Sequence, residues 1–304
     1  MAKVTHLRYV GISVPAFEQE VGFYSGIWGL KLVEKDKDIA FLAAEGSPEQ
    51  YILRVRSGPD KRLDVVGFGA ADRAAVDRLA EELVEAGVKL ISEPARLQTP
   101  GGGYGFRFFD CDGRVVEVSS DVEPRPYREI QPEEGIPVKL SHVVLNSPDV
   151  ERTKAFYEQM LGFRLSDWLL DIMCFLRCNP EHHCLAIIRG PYPSLNHVSF
   201  EMRGLDEFMR GAGRLMRRGY RLIWGPGRHG AGNNTFAYFL DPNANVCEYT
   251  TELERIYDEE SYQPRVWSMI PEEVDRWGTA NTDPMLYNYM SNSPDRGLWT
   301  PPPI

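Results

Sequence analysis

Residues 7–14 read LRYVGISV and residues 140–147 read LSHVVLNS, and the fold turns on this recurrence at a shift of about 133 positions. The flanking sequence recurs with it. FYSGIWGLKLV from Phe23 lines up with FYEQMLGFRLS from Phe156, so Phe23-Tyr24 falls on Phe156-Tyr157 and Gly29 on Gly162. Further on, LDVVGF from Leu63 matches LNHVSF from Leu195, and FFDCDGRVVEVSSD from Phe108 matches YFLDPNANVCEYTTE from Tyr238. Self-similarity kept in one order marks a duplicated unit. Each half divides again, because an alternating strand followed by an amphipathic helix (AAVDRLAEELVEAGV, then GLDEFMRGAGRLMRRGY) restarts at Leu63 and at Leu195. The simplest arrangement is α+β: four βαβββ modules, paired into two tandem domains.

Between the two copies, residues 121–137 (DVEPRPYREIQPEEGIP) are rich in proline and charge and have no apolar period, which places a linker there. The chain then divides into an N-terminal module pair at 1–130, a C-terminal pair at 137–258 and a tail at 259–304. Pro264, Pro271, Pro284, Pro294 and the prolines at 301–303 punctuate the tail, which also carries Trp267, Trp277, Tyr287, Tyr289 and Trp299. So many aromatics predict a tail packed over the folded body, near the site.

A chain of 304 residues, 43% hydrophobic and 26% charged, can bury a real core, so disorder is a poor starting expectation. No run approaches the roughly 18 apolar residues of a spanning helix, and MAKVTHLRYV leads into a strand pattern rather than a signal-peptide core. The formal charge of −10, with no Lys/Arg cluster, argues against nucleic acid and anionic membranes as partners. Five dispersed cysteines (Cys111, Cys174, Cys178, Cys184, Cys247) fit reduced thiols in the cytoplasm, a compartment that also keeps iron ferrous.

Chemistry appears where the two halves differ. His142 stands opposite Tyr9, His197 opposite Val65, and Glu248 opposite Glu117. Only the C-terminal half therefore has two histidines and a carboxylate at matched strand positions, a set that binds one face of a divalent metal and leaves other positions open. Strands suit the task because period-two alternation aims each ligand into one cavity from a rigid sheet.

Taken together, the tandem pattern, the SHVVLNS and NHVSFE strands and above all GPGRHGAGNNTFAYFLDPNANVCEY (residues 225–249) resemble the type I extradiol ring-cleavage dioxygenases of the vicinal oxygen chelate superfamily, the catechol 2,3-dioxygenase and 2,3-dihydroxybiphenyl dioxygenase type. The resemblance covers about residues 1–258. It implies that His142, His197 and Glu248 hold Fe(II), or Mn(II) as in some members, with no organic cofactor. It further implies that the substrates are a catechol and O2 and that the chain forms a homo-oligomer. His183, in CNPEHHCLAII, takes the place of the histidine that assists dioxygen and acts as acid/base. Tyr238 takes that of a residue that hydrogen-bonds a substrate hydroxyl and helps remove its proton, and His229 that of a hydrogen-bonding partner on the substrate side. A neutral imidazole near pH 7 can both donate and accept, which suits the role given to His183. The adjacent His182 is its rival. On a strand, neighbours point to opposite faces, so one of the pair reaches the cavity, and alignment on CLAI favours His183. The spacing of Cys178, His182, His183 and Cys184 matches no pair of chelating turns for a structural zinc.

For acidic catechols such as homoprotocatechuate the resemblance leads one to expect an arginine just before GPGRH and an Arg-Arg pair in the tail. Trp224 occupies the first position and Arg276 stands alone near the second. A buried carboxylate without a cationic partner is costly, so the expected substrate is an uncharged alkyl- or aryl-substituted catechol, with Val144 and Phe175 lining its pocket. A 4-hydroxyphenylpyruvate dioxygenase-like or isomerase chemistry is the alternative within the superfamily. Tyr9 and Val65 argue against a glyoxalase-type site shared between modules, and the full ligand set argues against a bleomycin-resistance-type binding protein.

Overall fold

The computed structural model of the chain describes residues 3–290, so Pro294, Trp299 and the prolines at 301–303 lie outside the described residues. The first half comprises β1 (His6–Val14), α1 (Phe17–Ser25), β2 (Lys31–Lys35), β3 (Ile39–Ala43), β4 (Leu53–Ser57), β5 (Arg62–Gly69), α2 (Arg73–Glu85), β6 (Leu90–Arg96), β7 (Tyr104–Phe109) and β8 (Val115–Ser120). The second repeats the series as β9 (Lys139–Ser147), α3 (Val150–Leu161), β10 (Arg164–Leu169), β11 (Met173–Arg177), β12 (Leu185–Arg189), β13 (Ser194–Glu201), α4 (Leu205–Arg217), β14 (Leu222–Arg228), β15 (Thr235–Leu240) and β16 (Val246–Thr251). The tail adds β17 (Arg265–Trp267), α5 (Pro271–Val274), β18 (Asn281–Thr282) and α6 (Leu286–Tyr289).

Each half folds its two βαβββ modules into one sheet. The first runs β2-β3-β4-β1-β5-β8-β7-β6, and the second runs β10-β11-β12-β9-β13-β16-β15-β14 in the equivalent order, with β17 and β18 added at its two edges. The modules join at the antiparallel pairs β1·β5 and β9·β13. Between β8 and β9, residues 121–138 contain neither helix nor strand. Local sequence explains the helix ends. Asp72 and Asp149 cap α2 and α3 by accepting from Ala75 N (2.7 Å) and Arg152 N (3.0 Å), and the matched glycines Gly29 and Gly162 both adopt left-handed φ, 96° and 72°.

Period-two alternation sorts the side chains of the second sheet between two faces. Val143 and Leu145 of β9, Val198 and Phe200 of β13, Ala237 and Phe239 of β15, and Cys247 and Tyr249 of β16 enter the main hydrophobic core. The residues between them, including His142, Val144, His197, Tyr238 and Glu248, occupy the opposite face. The same alternation in the first sheet turns Tyr9 and Val65 into an apolar cluster with Phe41, Tyr51 and Val115. Two buried ion pairs fill the rest of that face, Arg107 with Glu117 at 2.9 Å and Arg54 with Asp64 at 3.5 Å. Gly11 makes room for this filling, since a Cβ there would lie 2.6 Å from Val65 and 3.1 Å from Arg54. The first sheet is thus packed solid where the second is hollow.

Candidate active site

His142 from β9, His197 from β13 and Glu248 from β16 converge because their three strands are adjacent in the sheet. One ligand atom from each lies within 4.8 Å of the others, and the residues are 2%, 5% and 0% exposed. His142 Nε2 is 3.0 Å and His197 Nε2 3.4 Å from Glu248 Oε2. These approaches lack hydrogen-bond geometry, which leaves His197 Nε2 and both carboxylate oxygens buried without a partner. Leaving such groups unpaired costs about 1–3 kcal/mol each, so the arrangement calls for an occupant. The outer nitrogens are engaged: Ser141 Oγ lies 3.0 Å from His142 Nδ1, and Asn196 Oδ1 lies 2.7 Å from His197 Nδ1. An amide oxygen only accepts, so His197 carries its proton on Nδ1 and turns the Nε2 lone pair to the cluster. Burial pushes the Glu248 carboxyl upward, but the positive charge that the two facing imidazoles can carry in a metal's place outweighs it and holds it well below the usual carboxylate range. Two imidazole lone pairs and an ionised carboxylate fit a divalent metal of the iron or manganese kind.

A cavity of about 230 Å³ opens beside the cluster, lined by His142, His197, His183, Tyr238 and His229 among others. Burial pushes the imidazole of His183 well below its ordinary value and that of His229 down to about 4. His229 Nδ1 lies 3.3 Å from the Val274 carbonyl, which can only accept, so Nε2 is the acceptor for the Tyr238 hydroxyl at 3.1 Å. Tyr238 is further held by stacking on Trp224 at 5.1 Å and by an edge contact with His197 at 5.1 Å. Burial, with Glu248 nearby, raises the Tyr238 phenol well above its ordinary value.

The His182–His183 pair corrects one premise of the sequence reading. Neither residue is on a strand. They occupy the irregular turn before β12, so strand alternation does not separate them. His183 lines the cavity, while His182 lies directly behind it, with its Nδ1 2.9 Å from His183 Nδ1. Phe175 and Val144 line the cavity as well, and the Phe175 ring packs against both imidazoles at 5.8 and 5.0 Å.

Much of the wall was not legible from the sequence. Leu169, Met173 and Ile188 come from the second sheet, while Trp267, Leu286 and Met290 come from the tail. No lysine or arginine lines the cavity among the described residues, and Glu273, beside it, already accepts from Ser268 N at 2.6 Å. Arg276 donates to Asn233 Oδ1 at 3.1 Å. Asn196 and Asn146 also went unsignalled. Asn146 accepts from Asn196 Nδ2 at 3.0 Å and donates to the Met290 carbonyl at 2.7 Å, which links the end of α6 to the amide that orients His197.

Residues 6–118 and 139–249 each match the family model of the Glyoxalase/Bleomycin resistance protein/Dioxygenase superfamily. The chain is 30% identical over 251 residues to metapyrocatechase 2 of Cupriavidus necator, a match covering 75% of each protein. It is 26% identical over 268 residues to an iron-dependent extradiol dioxygenase of Rhodococcus jostii, covering 77% of this chain and 85% of that one. Among solved structures, an Mn(II)-bound glyoxalase from Novosphingobium aromaticivorans is 46% identical, covers 94% of each chain and has a TM-score of 0.90.

Proposed function

The chain belongs to the glyoxalase/bleomycin resistance protein/dioxygenase superfamily, and from this membership we propose that it is an extradiol dioxygenase opening the ring of an uncharged alkyl- or aryl-substituted catechol. The observation that carries this reading is the buried, unpaired set of His142, His197 and Glu248 beside an apolar cavity that has no lysine or arginine among the described residues. An apolar cavity of about 150 Å³ suffices for benzene, so the space here suits a substituted ring. Iron(II) or manganese(II) held by the three residues would supply a Lewis-acid centre that eases loss of the catechol protons and brings O2 beside the ring. Relatives named for iron and for manganese support either ion.

Within this reading the chain's own residues divide the remaining work. Tyr238, already hydrogen-bonded to His229, meets a substrate hydroxyl and passes its proton toward the His229 Nε2 lone pair. His183, held neutral by burial, lines the same cavity and serves as acid/base for the oxygen being inserted. Trp224, Phe175 and Trp267 exclude water and pack on the ring. Both atoms of O2 enter a ring-opened semialdehyde or its ketone counterpart, with the bond beside the two hydroxyls broken. A cytoplasmic homo-oligomer is part of the same proposal.

Anaerobic reconstitution with Fe(II) or Mn(II), followed by oxygen uptake and visible spectra, tests the reading. Catechol, 3-methylcatechol and 2,3-dihydroxybiphenyl are expected to give a yellow product with one O2 consumed, and homoprotocatechuate little or none. The 46% identical glyoxalase favours an isomerase as the second reading. Full metal loading without oxygen uptake on any catechol would turn the assignment to it.

A further inference from the structure

Behind the cavity wall lies a buried carboxylate that takes no part in metal binding or in the ring chemistry. Asp167, in β10, is 1% exposed and gathers four groups. Its Oδ1 accepts from the Arg265 backbone N–H at 2.8 Å and the Tyr262 hydroxyl at 3.1 Å. Its Oδ2 accepts from the Trp267 indole N–H at 2.6 Å and lies 3.1 Å from His182 Nε2. Burial alone would raise this carboxyl, yet His182 and the backbone and indole donors outweigh it and hold it below its ordinary value.

For a neutral His182 the proton positions follow one after another. An ionised carboxylate only accepts, so His182 carries its proton on Nε2. In the neutral imidazole Nδ1 is then a lone pair. It faces His183 Nδ1 at 2.9 Å, and a hydrogen bond there requires His183 to donate from Nδ1. The one nitrogen of His183 left over is Nε2, on a residue that lines the cavity. His182 has little freedom to behave otherwise. Its side chain is fully buried, its N–H donates to the Glu254 carbonyl at 2.8 Å, and its own carbonyl accepts from Ser166 Oγ.

We propose that Asp167 and His182 are positioning residues that hold His183 as its Nδ1–H tautomer, so that Nε2 is presented to the cavity as an acceptor. The proposal rests on the role given to His183 in the dioxygenase reading. Because the same carboxylate anchors Arg265 and Trp267 of β17, the tautomer is also tied to the docking of the tail.

The test uses the full chain labelled with 15N-histidine and loaded with Zn(II) as a diamagnetic occupant. Long-range 1H–15N correlations distinguish protonated from unprotonated ring nitrogens. Expected in the native chain are a protonated Nδ1 with bare Nε2 for His183 and the reverse for His182. His182→Phe keeps a ring but removes the acceptor, so His183 is expected to shift to Nε2–H. Catechol turnover by the Fe(II)-loaded protein should then fall about 10-fold to 100-fold in kcat with KM changed less than about twofold. His182→Gln, whose amide can accept and donate in the same places, should recover most of that loss. A native spectrum with His183 protonated on Nε2 would overturn the proposal, even if His182→Phe does not fold. So would a His182→Phe protein whose tautomer and kcat match the native ones. Absence of catechol turnover in the native enzyme would strike the dioxygenase reading instead, while the tautomer spectrum would still decide this one.

Discussion

Glu117 and Glu248 occupy matched positions and meet different partners across the ladder. Arg107 stands beside Glu117 and neutralises it, whereas Tyr238 stands beside Glu248 and leaves it ionised and unpaired. Glu248→Ala is therefore expected to abolish stoichiometric metal, measured by elemental analysis. His183→Phe should retain metal and lose about 10²-fold or more in kcat. Equal metal loss in both would refute this division of roles. His229 makes a pH prediction. Its folded value of about 4 lies below the ordinary 6.5, so the unfolded chain binds the extra proton first as pH falls. The stability in question is present above pH 6.5 and is lost as pH falls through about 4. Thermal melts of metal-free protein across this window should show a shallower acid decline in His229→Gln.

Among the secondary-structure elements, those of the tail complete the site. β17 and β18 cover the two edges of the second sheet, and Trp267, Leu286 and Met290 close the cavity. Trp267→Ala removes an aromatic wall and a donor to Asp167. Steady-state kinetics should show KM for an aryl-substituted catechol rising about tenfold, the equivalent of about 1.4 kcal/mol of apolar contact. The sequence signalled this segment only by its aromatic content. Strands of three and two residues and helices of four have no room for a hydrophobic period, so their conformation comes from what they dock against. The His182–His183 turn escaped prediction for a related reason. It lies between strands, where period-two reasoning does not apply.

Across the entire chain the duplication is used reciprocally. Tyr24 of α1 donates to Asp241 of the second half at 3.2 Å, and Tyr157 of α3 donates to Asp110 of the first at 3.1 Å. The main core runs through both halves, with Trp28 stacked on Tyr249 at 4.0 Å. Tyr24→Phe and Tyr157→Phe should each destabilise the protein by about 1.5–3 kcal/mol, the range for hydrogen bonds to charged groups, read from urea unfolding. Arg107→Ala strands Glu117 in the packed first half. A loss of about 3–5 kcal/mol is expected there with metal content unchanged, and a rise in metal content would show that the first half can bind.

Whatever repeats or alternates in this protein was legible in the chain alone. The order of elements could be read from it, and so could the match of Gly29 with Gly162, because backbone geometry imposes a fixed period and a left-handed φ that leave their mark locally. His142 and His197 were visible for the same reason, as departures from an otherwise repeated pattern at cavity-facing strand positions, with Glu248 as the repeated carboxylate that completes their set. The remaining features came into view only in three dimensions. The arginines that plug the first half, the Asp167–His182 support behind His183, the Asn146–Asn196 chain and the tail's share of the wall all join residues far apart in sequence or outside regular elements. Such contacts arise where packed surfaces bring side chains together, and no local period records them.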